Sequence, residues 1–139
     1  MHAPQCLAKV SHVDHQALSA AAWRQGSPAL LCRPHGRPAY ISGIPGFDAQ
    51  GALPDGFEAQ FANVVTNIKR VLDEAGATFR DLVKLNVLLT RAADVAIMNK
   101  LYADAFGPAP YPARTTCVVV ALPGPRMLIE IEGVAQLAK

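Results

Sequence analysis

Between Gly56 and Ala75 the apolar residues Phe57, Phe61, Val64, Val65, Ile68, Val71, Leu72 and Ala75 recur at spacings of three and four. On a 3.6-residue period they fall on one stripe, which predicts a helix. A stripe that long has to be covered, and most of the remaining apolar residues stand in short runs suited to strands. A helix lying on a sheet is the architecture this feature allows. Asp55 and Glu58 have the spacing of a capping box at the helix start, with Asp in place of Ser or Thr. Gly76 suits the left-handed position just beyond its end.

The punctuation around this helix orders the other elements. Ala29–Cys32 and Ala39–Ser42 are short strand candidates separated by a Pro/Gly-rich turn through His35-Gly36. Gly43-Ile44-Pro45-Gly46 follows, a stretch whose backbone N–H groups are open to work outside a sheet. Leu82–Thr90 is strand-like, with Leu85, Val87 and Leu89 on one face. A second helix is predicted over Ala93–Phe106, burying Val95, Met98, Leu101, Tyr102, Ala105 and Phe106 and stopped by Gly107-Pro108. Two strands close the chain, Arg114–Leu122 and Met127–Ala135, turning at Pro123-Gly124-Pro125. The order β-β-α-β-α-β-β predicts an α+β fold, a mixed sheet with two helices on one face. The sheet's other face is expected to be apolar and bare in a single subunit, which favours assembly. Residues 1–26, rich in Ala and His, read as an N-terminal arm, and residues 27–139 as one domain.

Composition removes several function classes. Of the 139 residues 51% are hydrophobic and 17% charged, enough for a core without a metal or disulfide staple. The net charge of +2 comes from scattered Lys and Arg, with no basic stripe for nucleic acid. Cys6, Cys32 and Cys117 form no CxxC pair, and the last two sit in apolar runs as expected buried thiols. Neither a secretory leader nor an apolar run of the ~20 residues that cross a bilayer is present. A reducing cytoplasm and no membrane partner are the expectation.

Three constellations carry possible chemistry. Arg114 opens an apolar strand after Pro112-Ala113, and its planar fork matches a carboxylate through two parallel hydrogen bonds. The plainer alternative is a surface ion pair or a strand-end charge. Glu130 and Glu132 alternate with Ile129 and Ile131, so both carboxylates share one strand face. Their repulsion can raise the pKa of one and make it a proton carrier near neutrality, or both can simply line a solvated face. Asn99 stands mid-helix, where Asn is a poor helix former and either faces water or has a task. His12 and His15 are spaced i,i+3, but no second ligand pair follows, so no metal is expected. There is no GxSxG and no Gly-rich phosphate loop, which argues against covalent serine catalysis and nucleotide chemistry.

Taken in order, a set of motifs resembles the RidA/YjgF family of reactive-intermediate deaminases. They are Ser42-Gly43, Asn67-Ile68, Ala75-Gly76, Asp81-Leu-Val-Lys84, Asn99-x-x-Tyr102-x-x-x-Phe106, Pro112-Ala113-Arg114, Leu122-Pro123 and Ile129-Glu-Ile-Glu132. The resemblance runs from about Ala39 to Ala135. It implies a chorismate-mutase-like fold, the YjgF fold, assembled as a homotrimer around the opposite sheet faces with sites at the subunit clefts. It implies a hydrolase acting on C=N bonds without a cofactor. The substrates would be 2-imino acids, formed from enamines such as 2-aminoacrylate, and the products 2-keto acids and ammonia. By position Arg114 matches the residue that grips the substrate carboxylate and Glu130 the one that orients the attacking water. Gly43 matches a residue offering backbone contacts, and Ser42, Asn99 and Thr116 match positions around the cleft. Thr116 stands where RidA itself commonly has Cys.

Departures gather on one wall of that cleft. Ser27-Pro28-Ala29-Leu30 lacks the tyrosine of the family's Gly-Pro-Tyr segment, the Gly-Gln-Ile-Pro of many relatives is shortened to Gly43-Ile44-Pro45, and the arm is longer. Arg114-Thr-Thr116 and Leu122-Pro-Gly-Pro125 look more like the 2-aminomuconate deaminases of the same superfamily, which gives a longer diacid as the alternative substrate. A non-catalytic keto-acid or small-carboxylate binding protein is a further alternative. RNA cleavage, a function once attached to the family, finds little support in the weak charge and few aromatics. If the last two strands pair as a hairpin about Gly124, Arg114 and Glu130 stand about six residues apart, roughly 20 Å. They would then meet across an interface.

Overall fold

In the computed structural model residues 38–137 are described. Strand β1 is Pro38–Pro45, helix α1 Phe57–Glu74, strand β2 Leu82–Leu89, helix α2 Val95–Phe106, strand β3 Ala113–Val118 and strand β4 Ile129–Gln136. The expected strand Ala29–Cys32 and the arm lie outside the described residues. The sheet runs β1-β4-β2-β3. β4 is antiparallel to both of its neighbours, and β2 is parallel to β3. This is the mixed sheet of the expected α+β class.

The stripe on α1 packs as its period requires. Phe57, Phe61, Val64, Ile68, Val71 and Leu72 are buried and join Leu85, Val87 and Leu89 of β2 and Ile129 and Ile131 of β4 in one core. Met98, Tyr102 and Phe106 of α2 complete it. Gly76, at φ 70°, ends α1 as predicted. Its N–H bonds to the Asp73 carbonyl at 3.1 Å, and that of Ala77 to Leu72 at 2.8 Å, which satisfies carbonyls the helix leaves open.

The start of α1 differs from expectation. The N-cap is Gly56, at φ 88°, with no side-chain cap. That places Glu58 two residues after the cap instead of three, so no box closes, and Asp55 pairs with Arg126 at 3.2 Å instead. A capping box does form at Thr78–Asp81, before β2. There the Asp81 carboxylate accepts from the Thr78 N–H at 2.7 Å, and the Thr78 hydroxyl accepts from the Arg80 N–H at 3.2 Å.

The expected hairpin of the last two strands is also corrected. β2 lies between β3 and β4. The connection through α2 sets β3 parallel beside β2, and β4 takes the opposite side of β2. β3 stops at Val118 because its partner β2 ends at Leu89, after which the Thr90 N–H turns to the Leu128 carbonyl at 3.2 Å. Residues 119–128 form the connection. Gln60, only 1% exposed, pins it by donating to the carbonyls of Pro54 and Arg126 and accepting from the Leu128 N–H, all within 3.0 Å.

The face of the sheet away from the helices carries no helix among the described residues, but it is not the apolar face expected. Tyr40, Leu88 and Val134 share it with Lys84, Asn86, Thr115, Glu130 and Glu132. Cys117, expected to be buried, is exposed. It lies on this same face of β3, the last strand of the described sheet, opposite Leu88, where no helix among the described residues covers it.

Candidate active site

Arg114 sits at the start of β3 opposite Leu85, a core-facing residue, so its side chain leaves on the helix side of the sheet. There α2 receives it. The Asn99 Oδ1 accepts from Nη2 at 2.7 Å, the Met98 sulfur lies 3.7 Å from Nη1, and the guanidinium carbon stands 4.5 Å from the centre of the Tyr102 ring. Asn99 is exposed, and its side chain faces the Arg114 guanidinium. Arg114 and Asn99, together with Tyr102, Ala103, Tyr111 and Pro112, line a cleft of about 330 Å³. Thr116, two residues on from Arg114 and on the same face, has a buried hydroxyl without a hydrogen-bond partner among the described residues. The Tyr102 phenol is pushed up by burial, while the positive charge of Arg114 pulls it partly back.

Glu130 stands on the other face, opposite Pro45 on one side and Leu88 on the other. Burial holds its carboxyl above the ordinary carboxylate range, and Glu132, two residues along on the same face, pushes the same way. The repulsion read from the Glu-x-Glu spacing is therefore present, but desolvation is the larger cause. Glu132 itself accepts from the Asn86 amide at 2.7 Å.

A one-residue bulge in β1 brings the Ser42-Gly43 motif to this carboxylate. Ile41 faces Gly133 and Ile44 faces Ile131, so Ser42 and Gly43 together oppose one residue of β4. A Cβ at Gly43 would overlap the Glu130 carboxylate, at 2.7 Å from Cδ and 3.1 Å from Cγ. Ser42 lines a second groove of about 300 Å³ with Tyr40, Lys84, Asn86 and Glu132.

The residues singled out in the sequence therefore form two groups. Arg114, Asn99 and Thr116 stand on the helix side at the β3 edge, whereas Ser42, Gly43 and Glu130 stand on the open face. Arg114 and Glu130 are separated by two inter-strand spacings, with β2 between them, and three residues of register, roughly 10 Å in each direction. They also point to opposite sides of the sheet. The separation derived from a hairpin was wrong in its geometry, yet the two side chains do not share a cleft of one chain. Sequence reading missed Tyr111 and the part Tyr102 plays. The period placed Tyr102 correctly in the core but cannot show that a core ring also faces a cation. Among the described residues no cluster of His, Cys, Asp and Glu could hold a metal ion, and no helix is long and apolar enough to cross a membrane. His12 and His15 lie outside them.

Comparison with known proteins follows the same outline. The family model described as endoribonuclease L-PSP matches residues 16–137. The chain belongs to the RidA/YjgF family. Over 100 residues it is 36% identical to the chloroplastic Reactive Intermediate Deaminase A of Arabidopsis thaliana, covering 70% of this chain and 52% of that protein. The chain spans about half the length of the curated relatives it matches. Its structure resembles RidA from an Antarctic Psychrobacter species, with TM-score 0.69 and 41% identity over 73% of this chain and 82% of that one. It also resembles Escherichia coli TdcF with bound serine, with TM-score 0.70 and 28% identity over 76% and 85% of the two chains. The RidA/YjgF fold expected from the motifs is thereby established.

Proposed function

We propose that this protein is a cytoplasmic imine deaminase that hydrolyses 2-imino acids, formed from 2-aminoacrylate-type enamines, to 2-keto acids and ammonia. The observation carrying the reading is the pair of half-sites. An arginine braced by Asn99 and Tyr102 beside a cleft of about 330 Å³ is fit to hold a carboxylate. A half-buried glutamate of raised pKa, seated against a glycine, is fit to handle a proton. In a homotrimer built on the exposed β3 edge and the open sheet face, Arg114, Asn99 and Thr116 of one subunit would meet Ser42, Gly43 and Glu130 of the next. A bound serine in TdcF and the deaminase name of the Arabidopsis relative agree with a small amino-acid-like ligand.

The chemistry needs no cofactor. Water adds its oxygen to the electrophilic imine carbon while Glu130 accepts one of its protons. Glu130 returns that proton to the nitrogen to give a carbinolamine. It then takes the remaining hydroxyl proton and passes it to the same nitrogen, so that the C–N bond breaks and ammonia leaves as the C=O bond forms. A carboxyl raised toward neutrality can do both steps. Holding the carboxylate on Arg114 supplies the orientation.

The test is release of ammonia and keto acid from freshly generated 2-imino acids. In Arg114→Ala, kcat/KM is expected to fall about 100-fold, the worth of a two-bond charge-assisted contact, with an unchanged far-UV spectrum. A fully active variant would remove Arg114 from the mechanism. No turnover of any imine by the wild type, alongside tight keto-acid binding, would make the protein a binding module instead. Comparing short 2-imino acids with 2-aminomuconate decides between the two substrate lengths.

A further inference from the structure

The aromatic residues around α2 form a row that ends on the cation. Phe79 meets Phe106 edge-on with centroids 5.3 Å apart, Phe106 lies 4.6 Å from Tyr102, and the Tyr102 ring lies under the Arg114 guanidinium. Tyr102 is only 5% exposed, so it is held by the core, while Arg114 is exposed at the strand edge. A long, mobile side chain is thereby laid on a fixed surface. Its η nitrogens are guided to Asn99 and Met98, and of the guanidinium's five N–H groups about three stay available to a ligand. The Tyr102 hydroxyl, by contrast, is buried and bonds to no described residue.

We infer that Tyr102 is a positioning residue, whose ring face fixes the direction in which Arg114 presents its free N–H edge to a substrate carboxylate. This rests on the reading of Arg114 as the carboxylate grip. The ring does the work and the hydroxyl does not. A guanidinium attracted to the negative face of the ring is held over it, so ordering is complete before the ligand arrives and the binding step does not have to supply it.

The experiment compares wild type, Tyr102→Leu, Tyr102→Phe and Arg114→Ala as full-length protein. It measures KM and kcat for imine hydrolysis, 2-oxobutyrate binding by calorimetry, and melting. Loss of the ring face is expected to raise KM and the 2-oxobutyrate dissociation constant about fivefold in Tyr102→Leu, with kcat changed less than about twofold. Tyr102→Phe, which restores the ring, should bring both back to within about twofold of wild type. A merely structural role would reduce the folded fraction, lowering apparent kcat and leaving KM where it was. An unchanged KM in Tyr102→Leu, or a Phe variant as impaired as the Leu variant, overturns the inference while leaving the carboxylate grip intact. Should Arg114→Ala bind 2-oxobutyrate as the wild type does, the grip falls and takes the inference with it. If Tyr102→Leu does not fold, the wild type decides by NMR. A ring current should move the Arg114 Nε–H resonance upfield of those of Arg70 and Arg126, and an undisplaced resonance refutes the contact.

Discussion

Replacing Gly43 by alanine isolates what the bulge in β1 is for. Gly43 is not among the glycines at positive φ, so the backbone accepts a side chain there without strain. The obstacle is Glu130, whose Cδ would lie 2.7 Å and Cγ 3.1 Å from the new methyl. Ordinary carbon contacts are about 3.5–4.0 Å, so the carboxylate must retreat by roughly 1 Å. It is the far end of a flexible side chain and can do so at the cost of an off-rotamer torsion, about 1 kcal/mol. The fold should therefore survive, with only a slightly lower melting temperature. Activity should not, because a displacement of about 1 Å at a reacting group can cost on the order of 100-fold in rate. The assay is ammonia release from a freshly generated 2-imino acid, run beside a thermal melt and a crystal structure of the variant. Full activity with Glu130 visibly displaced would refute the assignment of that carboxylate to the water. A collapse in stability matching the loss of activity would refute the claim that Gly43 serves the site more than the fold.

Two other perturbations separate site from scaffold. The folded-state pKa of Glu130 is raised, chiefly by burial, so the native protein binds its proton more tightly than the unfolded chain does. The stability linked to this group is present below the unfolded pKa and is lost as pH rises through the folded pKa. Glu130→Gln should accordingly melt higher than wild type at neutral pH, with the difference vanishing in acid, while losing imine hydrolysis; a variant that melts lower at pH 7 contradicts this. Wild-type activity should decline as pH falls through the raised pKa, and Glu132→Gln should move that acidic limb to lower pH by only part of the shift. An unmoved limb would mean that Glu132 does not act on Glu130. In the scaffold, Gln60→Ala strips partners from two carbonyls and from the buried-side Leu128 N–H, and urea unfolding should register a loss of about 2–4 kcal/mol. A loss under about 0.5 kcal/mol would show that the 119–128 connection is not held by this side chain.

Whatever depends on neighbours along the chain was legible in the order of residues. The three-and-four spacing from Phe57 to Leu72 specified a helix and its buried face. Gly76 specified where that helix ends, and the Ile-Glu-Ile-Glu alternation specified that Glu130 and Glu132 share a face. The ordered motifs were enough to indicate the family. The start of α1 shifted by one residue because Gly56 could take a positive φ, which sequence spacing does not reveal.

Which strands are neighbours depends on packing between distant parts of the chain. A turn-rich Pro123-Gly124-Pro125 fits a hairpin, yet β2 separates β3 from β4 because side-by-side pairing is chosen by burial of the whole sheet against α1 and α2. That choice puts β3 at the edge of the described sheet, exposes Cys117 and sends Arg114 and Glu130 to opposite faces. The bulge that seats Gly43 on Glu130, and the ring of Tyr102 beneath Arg114, are likewise contacts between residues far apart in the chain. Periodicity fixes which way a side chain leaves its own backbone. It says nothing about what waits there, because that is set by the packing of the other elements.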